Sequence, residues 1–127
     1  MPVHHRREGS LAVVTPEGRY ETADLRAAVD DVLAIFDERG AAALVFDLGA
    51  SESLQDRSAQ DVRNMAYFLA TRGARFGYRF AAVAPSDLAF GLMRLGTVVT
   101  QDQGVESRVF RDFATARAWL ARDATNH

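Results

Sequence analysis

Residues Ala41–Leu48 (Ala-Ala-Ala-Leu-Val-Phe-Asp-Leu) form a nearly continuous apolar run, broken only by Asp47 near its end. A run this short, lying between two segments of helical periodicity, suits a parallel strand buried on both faces. That one strand demands a layer of apolar cover on each side, and the rest of the chain must supply it.

The flanking segments read as follows. Val3–Arg7 and Leu11–Thr15 are short strands joined by Glu8-Gly9-Ser10, a hairpin signal, and Pro16-Glu17-Gly18 then breaks the chain. A helix follows with Thr22 as N-cap, Asp24 in its first turn, Leu25, Val29, Val32, Leu33 and Phe36 at helical spacing, and Arg39-Gly40 as a stop. After the loop Gly49–Leu54 a second helix runs from about Asp56 to Thr71, capped by Asp56, with Val62, Met65, Ala66 and Leu69 inward and Arg72-Gly73 as its end. Phe76–Ala84 reads as a strand with Phe76, Tyr78, Phe80 and Ala82 on one face, stopped by Pro85. Ser86 caps a third helix from Asp87, whose end is blurred by Gly91, Gly96 and the β-branched Thr97–Thr100. Val105–Phe110 is the last strand, and Asp112 caps a closing helix that turns Phe113, Ala116, Trp119 and Leu120 inward. The order β-β-α-β-α-β-α-β-α defines an α/β class with a mostly parallel mixed sheet and an antiparallel opening hairpin. All of 1–127 reads as one domain, with no repeat or linker.

Composition excludes more than it selects. With no cysteine, thiol catalysis, disulfides and cysteine-ligated zinc are ruled out. A net charge of −2 gives no general attraction for nucleic acid or anionic lipid. Nothing approaches the roughly 18 apolar residues of a membrane span. The polar start, Met1 to Arg7, lacks the pattern of a secretory leader, so the expected location is the cytoplasm. All 15 basic residues are arginine. His4 and His5 are neighbours on a strand and point to opposite faces, so they share no metal. No Ser-His-Asp order, His pair at helical spacing or Gly-rich phosphate loop is present; no catalytic residue, metal or cofactor is expected.

The junctions carry a resemblance. Arg7-Glu8-Gly9-Ser10-Leu11-Ala12-Val13-Val14 followed by Gly18–Arg26, then Val45-Phe46-Asp47-Leu48, Val83-Ala84-Pro85-Ser86, and Arg108-Val109-Phe110 with Ala114–Leu120, are similar in order and spacing to the STAS domain of anti-sigma-factor antagonists. The resemblance implies a SpoIIAA-like fold from about Val3 to Leu120, and a non-enzymatic module that works by protein contact. In that family an Asp-Ser-Ser-Gly motif opens the second helix, and its first serine is phosphorylated to switch partners. Counting by the family's spacings, forward from Asp47 and back from Gly73, places the motif Asp at Gln55 in both cases. Asp56 is then the phosphoacceptor-equivalent position, followed by Arg57 and Ser58, and every residue of the motif differs. Asp56 either caps the helix or supplies a fixed charge; a register slip of one makes Ser58 the acceptor.

The expected partner surface comprises Ser51, Ser53, Asp56, Arg57 and Ser58, at the carboxyl ends of the strands, with Met93 on the third helix. Phe90, Leu92, Met93, Leu95, Val98 and Val99 exceed one buried stripe, which suggests contact with an unknown protein partner or a second copy. The alternative is a carrier of a small apolar ligand or lipid, by the relation of SpoIIAA-like folds to Sec14-type domains.

Overall fold

The computed structural model describes residues 3–51 and 58–125. Its elements are β1 (Val3–Glu8), β2 (Leu11–Gly18), α1 (Thr22–Ala34), β3 (Ala43–Asp47), β4 (Ala50–Ser51), α2 (Ala59–Thr71), a 3-10 turn (Gly73–Phe76), β5 (Arg79–Val83), α3 (Asp87–Asp102), β6 (Glu106–Phe110) and α4 (Phe113–Thr125). The strands lie in the order β1-β2-β3-β5-β6, with the two-residue β4 beside the end of β2. Only the β1–β2 pair is antiparallel.

Each new parallel strand adds on the same side of the last. Right-handed crossovers made in one direction put their helices on one face, and α1, α2 and α3 indeed share a face. There Ala12, Val14, Leu44, Phe46, Phe80 and Ala82 meet Val29, Val32, Met65, Leu69 and Ala89. The chain crosses to the other face only after β6. The alternate residues Val13, Ala43, Val45, Ala81 and Val83 then pack beneath Ala116 and Leu120 of α4. The larger side chains face the three-helix layer, where Phe46 and Phe80 meet edge to face at 4.9 Å. β3 is therefore central and covered twice, with Leu44 and Val45 both fully buried.

Several local expectations need correction. Pro16 does not end β2, which continues to Gly18. The ladder to β3 stops at Val14↔Phe46 and that to β4 begins at Glu17↔Ala50, so Pro16 sits in the gap and costs no ladder bond. Thr22 is the first residue of α1, not its cap; Glu21 is the cap, and its N–H donates to Asp24 Oδ2 at 3.1 Å. Helix α1 ends at Ala34, ahead of Arg39-Gly40. The guanidinium of Arg75 terminates it from a distance, donating to the carbonyls of Leu33 (2.9 Å), Phe36 (3.2 Å) and Asp37 (2.9 Å). Gly40 serves the later turn at φ +73°, where a Cβ would lie 2.4 Å from the Arg75 carbonyl oxygen.

Phe76 and Tyr78 are not strand residues. The 3-10 turn buries Phe76 completely, and Tyr78 stands at φ +55° with its ring against Gly73. The β-branched run Thr97–Thr100 does not blur α3. Thr100 Oγ1 and Ser107 Oγ share a hydrogen bond at 2.6 Å, and the hydroxyl that accepts it donates its own proton to the Thr97 carbonyl, so the buried pair is satisfied inside the helical geometry.

Asp112 caps α4 as expected: its Oδ1 accepts the Thr115 N–H at 2.7 Å and the Thr115 hydroxyl at 2.8 Å. The backbone hydrogen bond from Thr115, and then its hydroxyl, hold the carboxyl below its ordinary pKa. A depressed folded pKa contributes stability that is present above the unfolded value and lost as pH falls through the folded one. Asp112→Ala should thus be less stable than wild type in urea at neutral pH, and the gap should close once the pH drops below the lowered pKa. A gap that persists in acid would assign the loss to packing. Leu44→Ala should cost about 2–5 kcal/mol, the range for truncating a buried leucine; a loss below about 1 kcal/mol would make β3 peripheral.

Candidate partner surface

Three loops gather at the carboxyl ends of the parallel strands. After β3 the Asp47 Oδ1 accepts the Gly49 N–H at 3.3 Å, and the Leu48 N–H reaches back to the Val83 carbonyl at 2.9 Å. These bonds turn the chain outward into β4. Between β5 and α3, the Ser86 Oγ accepts the Ala89 N–H at 3.1 Å. Arg111 ties this junction to the start of α4: it donates to the Pro85 carbonyl (3.2 Å) and Asp87 Oδ1 (3.0 Å), and lies over the Phe90 ring at 4.1 Å.

The third loop opens α2, and here the cap differs from expectation. Helix α2 starts at Ala59 and Ser58 is its N-cap, so Asp56 does not cap it. Ser58 Oγ accepts the Asp61 N–H at 3.1 Å, and Asp61 Oδ2 accepts the Ser58 N–H at 3.1 Å. This reciprocal pair satisfies two otherwise orphaned donors, which a lone carboxylate two residues earlier does not. The Ser-x-x-Asp spacing was the sequence signal for it. Ser53, Asp56 and Arg57 lie outside the described residues; Ser51 ends β4, and Ser58, seven positions on, is exposed. The two helix ends carry Ser58 with Asp61 and Ser86 with Asp87, so acidic groups already occupy the positive dipole ends.

Met93 belongs elsewhere. It is half-buried and packs with Phe90 and Leu92 against the main core. The apolar surplus of α3 faces outward instead at Leu88 (51% exposed) and Val98 (65%), residues three turns apart on the helix. Met93 lines an apolar cavity of about 60 Å³ between α2, α3 and the sheet, together with Phe46, Met65, Leu69 and Phe80. That is less than half of the roughly 150 Å³ of an apolar cavity that holds a single benzene.

Among the described residues no group of three His, Asp or Glu is arranged to hold a metal ion, and no helix is long and apolar enough to cross a membrane.

A five-strand sheet with one antiparallel edge, three crossover helices on one face and a closing helix on the other is the STAS, or SpoIIAA-like, fold. A solved anti-sigma factor antagonist from Mycobacterium paratuberculosis superimposes with a TM-score of 0.59, over 94% of this chain and 92% of that one, at 18% identity. No family model and no curated protein matches the chain.

The different positions of Met93 and Val98 lead to opposite outcomes. Met93→Glu sets a carboxylate against the core and should lower stability by about 1–3 kcal/mol. Val98→Glu should stay within about 0.5 kcal/mol of wild type. Urea titration of both variants checks this, and equal losses would mean that α3 is rotated from the position described.

Proposed function

We propose that the chain is a STAS-type regulatory module that acts by binding another protein, or a second copy of itself, and catalyses no reaction. The observation that supports this most is the extent of the fold match to an anti-sigma factor antagonist, which spans 94% of the chain. The proposed contact is the stretch that leaves β4 and enters α2: Ser51, Ser53, Asp56, Arg57 and the exposed cap Ser58. A net charge of −2 fits a protein partner better than nucleic acid or an anionic membrane, and such a module would act in the cytoplasm.

The same reading removes the phosphorylation switch. With Asp56 at the acceptor position, a serine kinase finds no hydroxyl there, and the surface keeps a fixed single charge in place of the roughly −1.5 to −2 of a phosphoserine. Ser58 is engaged as the α2 cap. Incubation with a STAS-type serine kinase should leave the intact mass unchanged. A phosphate mapped to Ser58 would restore the switch and move the motif register by one. A photo-crosslinking side chain at position 58 should capture a protein from native extract while the same group at Thr115, on α4, does not; equal capture at both sites would sink the proposed surface.

A further inference from the structure

The two edges of the sheet are finished differently. On β6, the Glu106 N–H donates to Tyr78 and the Ala84 N–H donates to Phe110, so Glu106, Arg108 and Phe110 turn their backbones toward β5. Ser107, between them, turns outward. Its carbonyl is already taken: Gln101 reaches over from α3, and its Nε2 donates to that oxygen at 2.8 Å. Among the described residues no strand pairs with the outer side of β1.

The free groups of β1 can be named. The Ala42 N–H donates to the Ser10 carbonyl at 2.7 Å, which points Ser10, and by alternation Ala12 and Val14, toward β3. Leu11, Val13 and Thr15 therefore face β1, where their partners are Glu8, Arg6 and His4. Val3, His5 and Arg7 are left with N–H and C=O directed into solvent. The side chains on this strand are cationic or titratable, and His4, His5, Arg6 and Arg7 are all exposed. Carboxylates offset them only in part. His4 lies 3.4 Å from Glu17, and Glu8 is shared between Arg6 and Arg117 of α4. His5 and Arg7, two of the three residues with open backbone, pair with no carboxylate among the described residues. Arg7 is instead held upright, its guanidinium 4.6 Å over the Phe36 ring and its Nε donating to the Gly9 carbonyl.

We propose that β1 is a docking edge for an extended acidic segment of a partner protein, which adds to the sheet as a further strand. Backbone bonds to His5 and Arg7 supply the pairing, and the guanidiniums of Arg6 and Arg7, one on each face, select for carboxylates across the strand, with the His4 and His5 rings beside them as hydrogen-bond partners. The same charges reject a second copy. Antiparallel pairing centred on Arg6 sets that guanidinium against its own copy, and like charges directly opposite are destabilising. This edge uses neither the loop after β4 nor α2, so it stands or falls apart from the surface proposed above.

The probe is a short end-blocked peptide of alternating threonine and glutamate, followed by fluorescence anisotropy and by amide shifts in a labelled protein. Binding should perturb Val3–Glu8 amides, weaken with salt, and vanish when the peptide is N-methylated throughout or when lysine replaces glutamate. His5→Pro removes only an outward N–H, so it should fold normally yet bind about tenfold more weakly, the effect of losing one hydrogen bond of about 1.4 kcal/mol. His5→Glu, an exposed change, should abolish binding even if the proline variant misfolds. Ser58→Ala should leave peptide affinity unchanged. No binding, binding that survives N-methylation, or shifts confined to α2 would overturn the proposal. A β1-dependent dimer in sedimentation velocity would overturn it in favour of a second copy.

Discussion

Everything in this molecule follows from the burial of β3 on both faces. A strand whose alternate residues, Leu44 and Phe46 on one side and Ala43 and Val45 on the other, are all removed from water requires two covering layers. The neighbours β2 and β5 inherit the requirement, because their residues lie in the same two layers. The two layers are unequal. Three crossover helices sit on the side with the large side chains, while α4 alone packs on alanine and valine, helped by Phe110 and Trp119 at 5.5 Å. Because α4 is a single helix on small side chains, its anchoring depends more on its ends, and Asp112 at its start is one such anchor.

Long-range polar contacts close what the backbone leaves open. Arg75 gathers three carbonyls at the end of α1 and so joins that helix to the turn before β5, across some forty positions of chain. Arg72 does the same at the end of α2, pairing with Asp30 of α1 at 2.9 Å and lying 4.4 Å over Phe68. A chain whose cations are all arginine has planar side chains at each of these places, able to hydrogen-bond in the plane and stack on a ring face at once. Lysine offers no equivalent geometry.

The architecture was legible because it depends on periodicity: the apolar run at Ala41–Leu48, the helical spacing of Leu25 to Phe36 and the alternation of elements led directly to the sheet and its layers. The boundaries that went astray were those decided by distant partners. Nothing near Ile35 signals that Arg75 will end α1, and nothing in Phe76-Gly77-Tyr78 distinguishes a strand from a turn whose tyrosine folds back on Gly73. The site was half legible. Ser-x-x-Asp at Ser58–Asp61 carries its own capping signal, two residues past the position that the family spacing assigns to the motif at Asp56. Met93 and Val98 are both apolar residues on one helix, and only the direction of α3 relative to the sheet separates an inward residue from an outward one.

The reach of Gln101 to the Ser107 carbonyl has a consequence for stoichiometry. Growth of strands into a fibre needs every subunit to offer two usable sides, one to receive and one to extend. A subunit whose Ser107 carbonyl is taken by its own glutamine offers one acceptor fewer on β6 with which to pass the pairing on. Two edges unequal in this way disfavour the open-ended addition of strands that two equal edges permit.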